Sequence, residues 1–252
     1  MATIAIIGDV GGCLTQLTRA VDDLESLSLD TVVIQVGDLV DRGPDSAGVL
    51  AYVASRPPST WVQLAGNHEA QYVGGGIAPF WPVPLAEPDA ALLRDWWLRD
   101  RLRIAAAVRT EDGEDLLVTH AGLTAAAWTE LGEPVTAATA AALLNTRPEP
   151  LLWHTDGPLW AEAATRLYPS WLESGPPMPF SQVHGHSAIV DYTARSWRCR
   201  ERIQQRSTVD WNSRHTFTRT AGARFVAVDP RHGTRGAPSW SPLILHNATL
   251  LE

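Results

Sequence analysis

The stretch Gly37-Asp38-Leu39-Val40-Asp41-Arg42-Gly43-Pro44 gathers two carboxylates and a guanidinium in one short loop, directly after the β-branched run Thr31 to Val36. A run of that composition reads as a buried strand. A buried strand that ends in charged groups has stopped building core and started building a site. Gly37 and Gly43-Pro44 bracket a tight turn. Alone, such a loop also fits an ordinary strand-to-helix turn with a capping Asp, but the pattern recurs. Thr3 to Ile7 leads into Gly8-Asp9-Val10-Gly11-Gly12, Trp61 to Ala65 into Gly66-Asn67-His68-Glu69, Leu116 to Val118 into Thr119-His120-Ala121-Gly122, and Val183 into His184-Gly185-His186-Ser187. Carboxylate, amide and imidazole together are a donor set for manganese, iron or zinc. In open α/β folds, ligands bind beyond the carboxyl ends of strands.

The elements that must position these groups are legible around them. Leu14, Leu17, Val21 and Leu24 recur at helical spacing with Asp22, Asp23 and Glu25 between them, which predicts an amphipathic helix and a βαβ unit. Asp45-Ser46 starts a second helix through Val49 and Val53, ended by Pro57-Pro58. The Gly74-Gly75-Gly76 stretch with Pro79, Pro82 and Pro84 reads as an irregular loop. Helices are predicted over Ala86 to Arg103, Thr124 to Leu131 and Thr136 to Leu144, and a strand over Phe225 to Asp229. Pro176-Pro177 and Pro179 mark a loop before the His184 strand, and no repeat or domain linker is seen.

A chain of 252 residues with 45% hydrophobic and 19% charged content is globular and large enough for a core of its own. No apolar run reaches the ~18 residues a membrane span needs. The chain enters a strand at once, without the basic region of a signal peptide. Two cysteines, Cys13 and Cys199, make no disulfide framework, so a cytoplasmic location is expected. All 20 basic residues are arginine, and ten lie between Arg195 and Arg235. That segment reads either as a patch for a phosphorylated substrate, since Arg matches phosphate bidentately, or as a solvated surface. A net charge of -8 argues against binding a nucleic-acid duplex. Most of the 11 tryptophans are expected in the core, with Trp81, Trp153, Trp160 and Trp211 as candidates to wall a cleft.

In order along the chain, GD-x-x-G at Gly8, GDLVDRG at Gly37, GNHE at Gly66, THAG at Thr119 and GHS at Gly185 resemble the signature set of the calcineurin-like metallophosphoesterases. The similarity is greatest to the short bacterial and phage phosphoprotein-phosphatase branch. It implies one domain over residues 1–252, folded as a four-layer αββα sandwich of two mixed β-sheets flanked by helices. It also implies two divalent ions, manganese first, with iron or zinc possible. Asp38 would bridge them, with Asn67, His120 and His186 completing one site and Asp9 belonging to the other. His68 would be the general acid, oriented by Asp41, and Arg42 would clamp phosphate. In this branch only the histidine after Gly185 is a ligand, so His184 is expected to lie behind the site.

Two departures from the pattern are specific to this chain. The histidine of the family's first motif, GD-x-H-G, is Gly11 here, which implies one tight and one weaker metal site. In the GPLW-x-R segment found in bacterial relatives, the arginine is Glu162, so Glu162 reaches the depleted site or points to solvent, and Arg166 is a possible substitute clamp. The activity implied is metal-dependent phosphoester hydrolysis by metal-activated water, with a phosphoprotein or a nucleotide as substrate. A protein-phosphatase-like phosphomonoesterase comes first and a dinucleoside polyphosphate pyrophosphohydrolase second. Gly11 and Glu162 also admit a pseudophosphatase that binds metal or a phosphorylated ligand without turnover.

Overall fold

Successive residues of a strand point to opposite faces, and here the two faces join different cores. Ile4, Ile6, Ile34, Val36, Val62 and Leu64 from the first part of the chain share one buried cluster with Val108, Leu116, Val118, Val183 and Val226 from the second. Their neighbours Ala5, Ile7, Val33, Ala105, Ala107 and Leu117 belong to a separate cluster with helical residues. Two sheets therefore face each other across the first cluster, with helices outside.

The computed structural model describes residues 2–27, 31–74, 77–78, 80–174, 176–231 and 239–251. Gly75, Gly76 and Pro79 of the expected irregular loop, and Arg235 of the arginine-rich segment, lie outside the described residues. The first sheet contains β1 (Ala2–Ile7), β2 (Thr31–Gln35), β3 (Trp61–Leu64) and β4 (Leu102–Arg103), with helices α1 (Leu14–Leu27), α2 (Ser46–Ala54), α3 (Asn67–Val73) and α4 (Glu87–Leu98) between them. The second contains β5 (Ala105–Arg109), β6 (Asp115–Thr119) and β7 (Ser181–His184), with α5 (Ala125–Glu130), α6 (Ala137–Asn145) and α7 (Tyr168–Glu173) between β6 and β7. A small hairpin of β8 (Val190–Asp191) and β9 (Ser196–Trp197) and the short α8 (Glu201–Gln204) follow. After them come β10 (Ser207–Asp210), β11 (His215–Arg219), β12 (Arg224–Ala227) and β13 (Leu243–Leu251).

The two sheets are continuous through β13. Its first part runs antiparallel to β1, and Thr249 to Leu251 pair with β5, giving the order β10-β11-β12-β7-β6-β5-β13-β1-β2-β3-β4. The four-layer sandwich is as expected, with one shared strand joining its halves. The motif-free residues 188–224 supply β8 to β11, and β10 and β11 extend the second sheet beyond β12. Helix α4 is shorter than predicted because Asp100 adopts a left-handed φ of 56° and Leu102–Arg103 leave to pair with β3. The other predicted helices lie within a residue or two of their expected ends, α5 and α6 with Thr124 and Thr136 as side-chain N-caps.

Strands β1, β2 and β3 are mutually parallel, as are β6, β7 and β12, so each half sends several carboxyl ends to one edge. The halves touch tightly there. A Cβ on Gly8 would lie 1.9 Å from the Val228 carbonyl oxygen. Gly8→Ala should therefore push the ends of β1 and β12 apart. It should cost ~1–3 kcal/mol, the usual range for overpacking, read as a lower denaturation midpoint. An unchanged midpoint would mean that this contact is not rigid.

Candidate metal centre and active site

The loop after β2 is held in a conformation that non-glycine residues rarely adopt. Asp38, Asp41 and Arg42 have φ of 54°, 69° and 58°, each in the left-handed region. The Glu69 carboxylate, fully buried at the start of α3, accepts the backbone N–H of Asp38, Leu39 and Gly66 at 2.8 Å each. From the other side the Asp38 carbonyl accepts Val10 N–H (3.0 Å) and Gly11 N–H (2.7 Å), which ties the β1 loop to the β2 loop. The approach depends on Gly66, where a Cβ would fall 2.3 Å from Asp38 N and Oδ1. Burial and the Asp38 charge push Glu69 up to about 7, against the pull of the N–H groups it accepts.

Around this frame the structure brings Asp38, Asn67, His120 and His186 together from four separate loops. Asn67 Oδ1 is 3.0 Å from both His120 Nε2 and His186 Nδ1, and His120 Nε2 is 3.3 Å from Asp38 Oδ1. Ligand bonds of ~2.1 Å place adjacent donors roughly 3.0–3.4 Å apart, so this set fits one divalent ion. Donor atoms of Asp38, His120 and His186 all lie within 4.8 Å of one another. His120 is oriented by the Val36 carbonyl, 3.0 Å from its Nδ1. Burial pushes both imidazoles down, His186 to about 3, which keeps them neutral as metal binding requires. Burial opposes the Asp38 charge, but His120, His68 and Arg42 outweigh it and hold the carboxyl well below its ordinary range.

Asp9 sits beside this set. Its Oδ1 accepts His186 N–H at 2.9 Å, while its Oδ2 is buried without any partner among the described residues. Burial, then repulsion from Asp229 and Asp38, raises its carboxyl well above the usual range. An orphaned carboxylate oxygen in a cluster of buried acids is what a bound cation would satisfy. Asp229 was given no role from sequence. Its signal was present, since it too is an acid ending an apolar strand.

His68 is almost fully buried, and its Nδ1 is 2.6 Å from Asp41 Oδ2. Gln71 Nε2 donates to the same oxygen at 2.9 Å, and Gln71 Oε1 accepts the N–H groups of Phe80 and Trp81. Gln71 is a supporting residue that sequence reasoning missed, although three residues after His68 on one helix it had to share its face. His68 Nε2 lies 3.2 Å from Arg42 Nη2, which also reaches Asp38 Oδ2 at 3.4 Å. Burial lowers the His68 pKa, but Asp38 and the Asp41 hydrogen bond more than compensate, so it is raised overall. Phe80 and Trp81 pack edge-on against His68 with centroids 5.2 Å away, and Trp160 contacts Phe80 at 5.8 Å.

Arg42 stands between two cavities. One, of about 520 Å³, is lined by Arg42, His186, Arg198, Arg214, Asp229 and Arg231, with the exposed Glu162 at its wall. The other, of about 410 Å³, runs from Asp41 and Arg42 to Trp81, Val83 and Pro84. Arg166 pairs instead with Asp156 at 2.7 Å. Of the other tryptophans proposed for a cleft, Trp153 packs on Trp97 and Trp211 on Tyr192. His184 lies behind the site, its Nδ1 against the Gly185 carbonyl and its Nε2 against the Tyr168 hydroxyl, and burial lowers it to about 4.

The family model for calcineurin-like phosphoesterases matches residues 2–211. Symmetrical bis(5'-nucleosyl)-tetraphosphatases of Yersinia enterocolitica and Salmonella paratyphi A are each 36% identical to the chain, over 126 and 131 residues. These alignments cover 47% and 49% of this chain and 41% and 44% of the relatives, so the chain spans less than half the length of the curated relatives it matches. The crystal structure of a candidate diadenosine tetraphosphatase superposes with a TM-score of 0.44 at 19% identity, covering 94% of this chain and 86% of that one.

The Glu69 clasp yields a direct test. Glu69→Gln turns a donor amide toward backbone N–H groups that need acceptors, and a buried unsatisfied donor costs ~1–3 kcal/mol. We expect a stability loss of that order and reduced metal content after purification without chelator. Unchanged stability would show that the loop holds its conformation without the carboxylate.

Proposed function

Because the chain belongs to the calcineurin-like phosphoesterase family, we propose that it hydrolyses a phosphorylated nucleotide, cleaving within or at the end of its phosphate chain. The observation that carries the nucleotide reading is Arg42, shared by an arginine-lined cavity and one walled by Trp81 and prolines. Phosphates suit Arg42, Arg198, Arg214 and Arg231. A base suits the Trp81 side, where stacking is worth ~1–3 kcal/mol. Tyr192, which lines the arginine cavity, has a buried hydroxyl without a partner. The names of the relatives from Yersinia and Salmonella favour the same class, which moves the dinucleoside polyphosphate reading ahead of the phosphomonoesterase that sequence reading placed first. The GDLVDRG and GNHE motifs still favour a phosphoprotein substrate as the second reading.

Asp38, Asn67, His120 and His186 would hold one ion, and Asp9 with Asp38 the other. Manganese is the first ion to test, and iron and zinc suit the same donors. Such a pair supplies charge neutralisation on phosphoryl oxygens and hydroxide at neutral pH. Arg42 donates to the phosphoryl oxygens. His68, held by Asp41, has its pKa raised and would deliver a proton from Nε2 to the leaving-group oxygen. We treat residues 1–252 as one catalytic domain and, from its two free cysteines, place it in the cytoplasm.

The deciding experiment compares diadenosine tetraphosphate, a phosphopeptide and p-nitrophenyl phosphate on manganese-loaded protein. The dinucleotide should give the highest kcat/KM. Faster turnover of the phosphopeptide would favour the protein-phosphatase reading, and no turnover of any substrate would leave the pseudophosphatase. His68→Asn should lower kcat by roughly 10²–10⁴, with a smaller loss for p-nitrophenyl phosphate, whose leaving group needs no proton. The acid form is the active one, so kcat/KM should fall as pH rises through the raised His68 pKa. Asp41→Asn removes a hydrogen-bonded charge and should move that alkaline limb to lower pH. A limb that stays in place would deny His68 this role.

A further inference from the structure

We propose that Asp229 completes the first metal site, standing in for the imidazole that Gly11 cannot supply. The inference rests on the metal-centre reading above and concerns one residue within it. The backbone at Gly11, rather than lack of room, disfavours a ligand at its own position. Its φ is +52°, while a Cβ there would meet the Arg42 stem at an ordinary contact distance, 3.5 Å from both Cβ and Cδ. Restoring a histidine there would strain the turn.

The opening lies on the other side of Asp9. The backbones just before Asp9 and Asp229 are in contact, through Gly8 and the Val228 carbonyl. Val228 N–H continues the β7 pairing by donating to the His184 carbonyl at 2.8 Å, which carries Asp229 to the edge where His186 emerges. Asp229 is 2% exposed and Asp9 is 1% exposed, and both stand at the same edge as His186. The Asp229 carboxylate is set by a hydrogen bond from Arg231 N–H to its Oδ1 at 2.7 Å. Asp9 Oδ2, buried and unpartnered, is the second and independent mark of a missing cation. Among the described residues only Asp38, His120 and His186 gather donor atoms within 4.8 Å of one another; with its carboxylate turned toward Asp9, Asp229 would add a third carboxylate to Asp9 and Asp38, a hard oxygen environment suited to manganese. Glu162, the candidate offered by the sequence, is exposed, whereas Asp229 is already buried beside Asp9.

The test is a manganese titration of the full chain, stripped with chelator, followed by calorimetry and by electron paramagnetic resonance of Mn(II). The wild-type chain should bind two ions. Asp229→Asn and Asp9→Asn should each lower the affinity of the same one of the two sites by at least about ten-fold, a loss that even outer-sphere partners of metal ligands cause. The double variant should lose little more than either single one. Without metal, Asp229→Asn should melt no lower than wild type, because one of two repelling buried carboxylates is gone. A purely structural Asp229 predicts the reverse: a lower melting point and unchanged metal affinities. That result overturns the proposal, as does loss of a site in Glu162→Gln while Asp229→Asn keeps both. If Asp229→Asn does not fold, Asp229→Glu decides: a changed affinity at one site supports the assignment, and two unchanged affinities overturn it. A wild-type chain that binds no manganese would sink the metal-centre reading as a whole, an outcome distinct from two sites indifferent to Asp229.

Discussion

The Glu69 carboxylate is the constraint on which the site depends. Its two oxygens hold three backbone N–H groups from two loops, and two of those groups flank the left-handed turn at Asp38. A left-handed aspartate costs of order 1–3 kcal/mol and persists only when its surroundings over-determine it. Here they do. Glu69 acts from α3, the Val10 and Gly11 N–H groups act from the β1 loop, and Gly66 allows the close approach. Once Asp38 is fixed, its carboxylate has no choice but to face His120, His68 and Arg42.

The second organising quantity is charge. Asp9, Asp38, Asp41 and Asp229 are all buried within one edge of the sandwich, and the Arg42 charge acts on all four. Asp41 is matched by His68 and Gln71. The remaining three carboxylates are left with an excess that burial makes expensive. The protein thus stores an electrostatic demand for cations at the place where, on the proposed function, phosphate would be neutralised. The same carboxylates raise the His68 pKa against the effect of burial.

On the proposed function, substrate recognition would fall largely to parts without motifs. Arg198 follows the β8–β9 hairpin, Arg214 lies between β10 and β11, and Arg231 follows β12, yet all three converge on the cavity beside Arg42. Other described arginines of the segment have partners elsewhere. Arg224 binds Glu114, Arg202 reaches the Leu172 carbonyl, and Arg195 lies over Trp211. The segment thus divides between arginines that line the cavity and arginines that face elsewhere.

The sequence alone determined the strands, the loops that end them and the identity of the residues collected there. Those features are local: β-branched runs, glycine-bounded turns, and donor types repeated at strand ends. The ranges of β1, β2, β3 and β6 and the αββα class were legible for that reason. Sequence also marked Gly11 and Glu162 as departures. What tertiary structure alone decided is which residues meet. Asp229 ends a strand like the others, but only the parallel pairing of β12 with β7, and the contact of Gly8 with Val228, set it beside Asp9. Gln71 gained its role only once α3 was docked against the Asp41 loop. Arg166 satisfied the spacing for a clamp and was claimed by Asp156, while three arginines scattered over the motif-free region reached the cavity. Contacts between residues far apart in the chain depend on register and on the facing of two sheets. Neither is written in any one stretch of sequence.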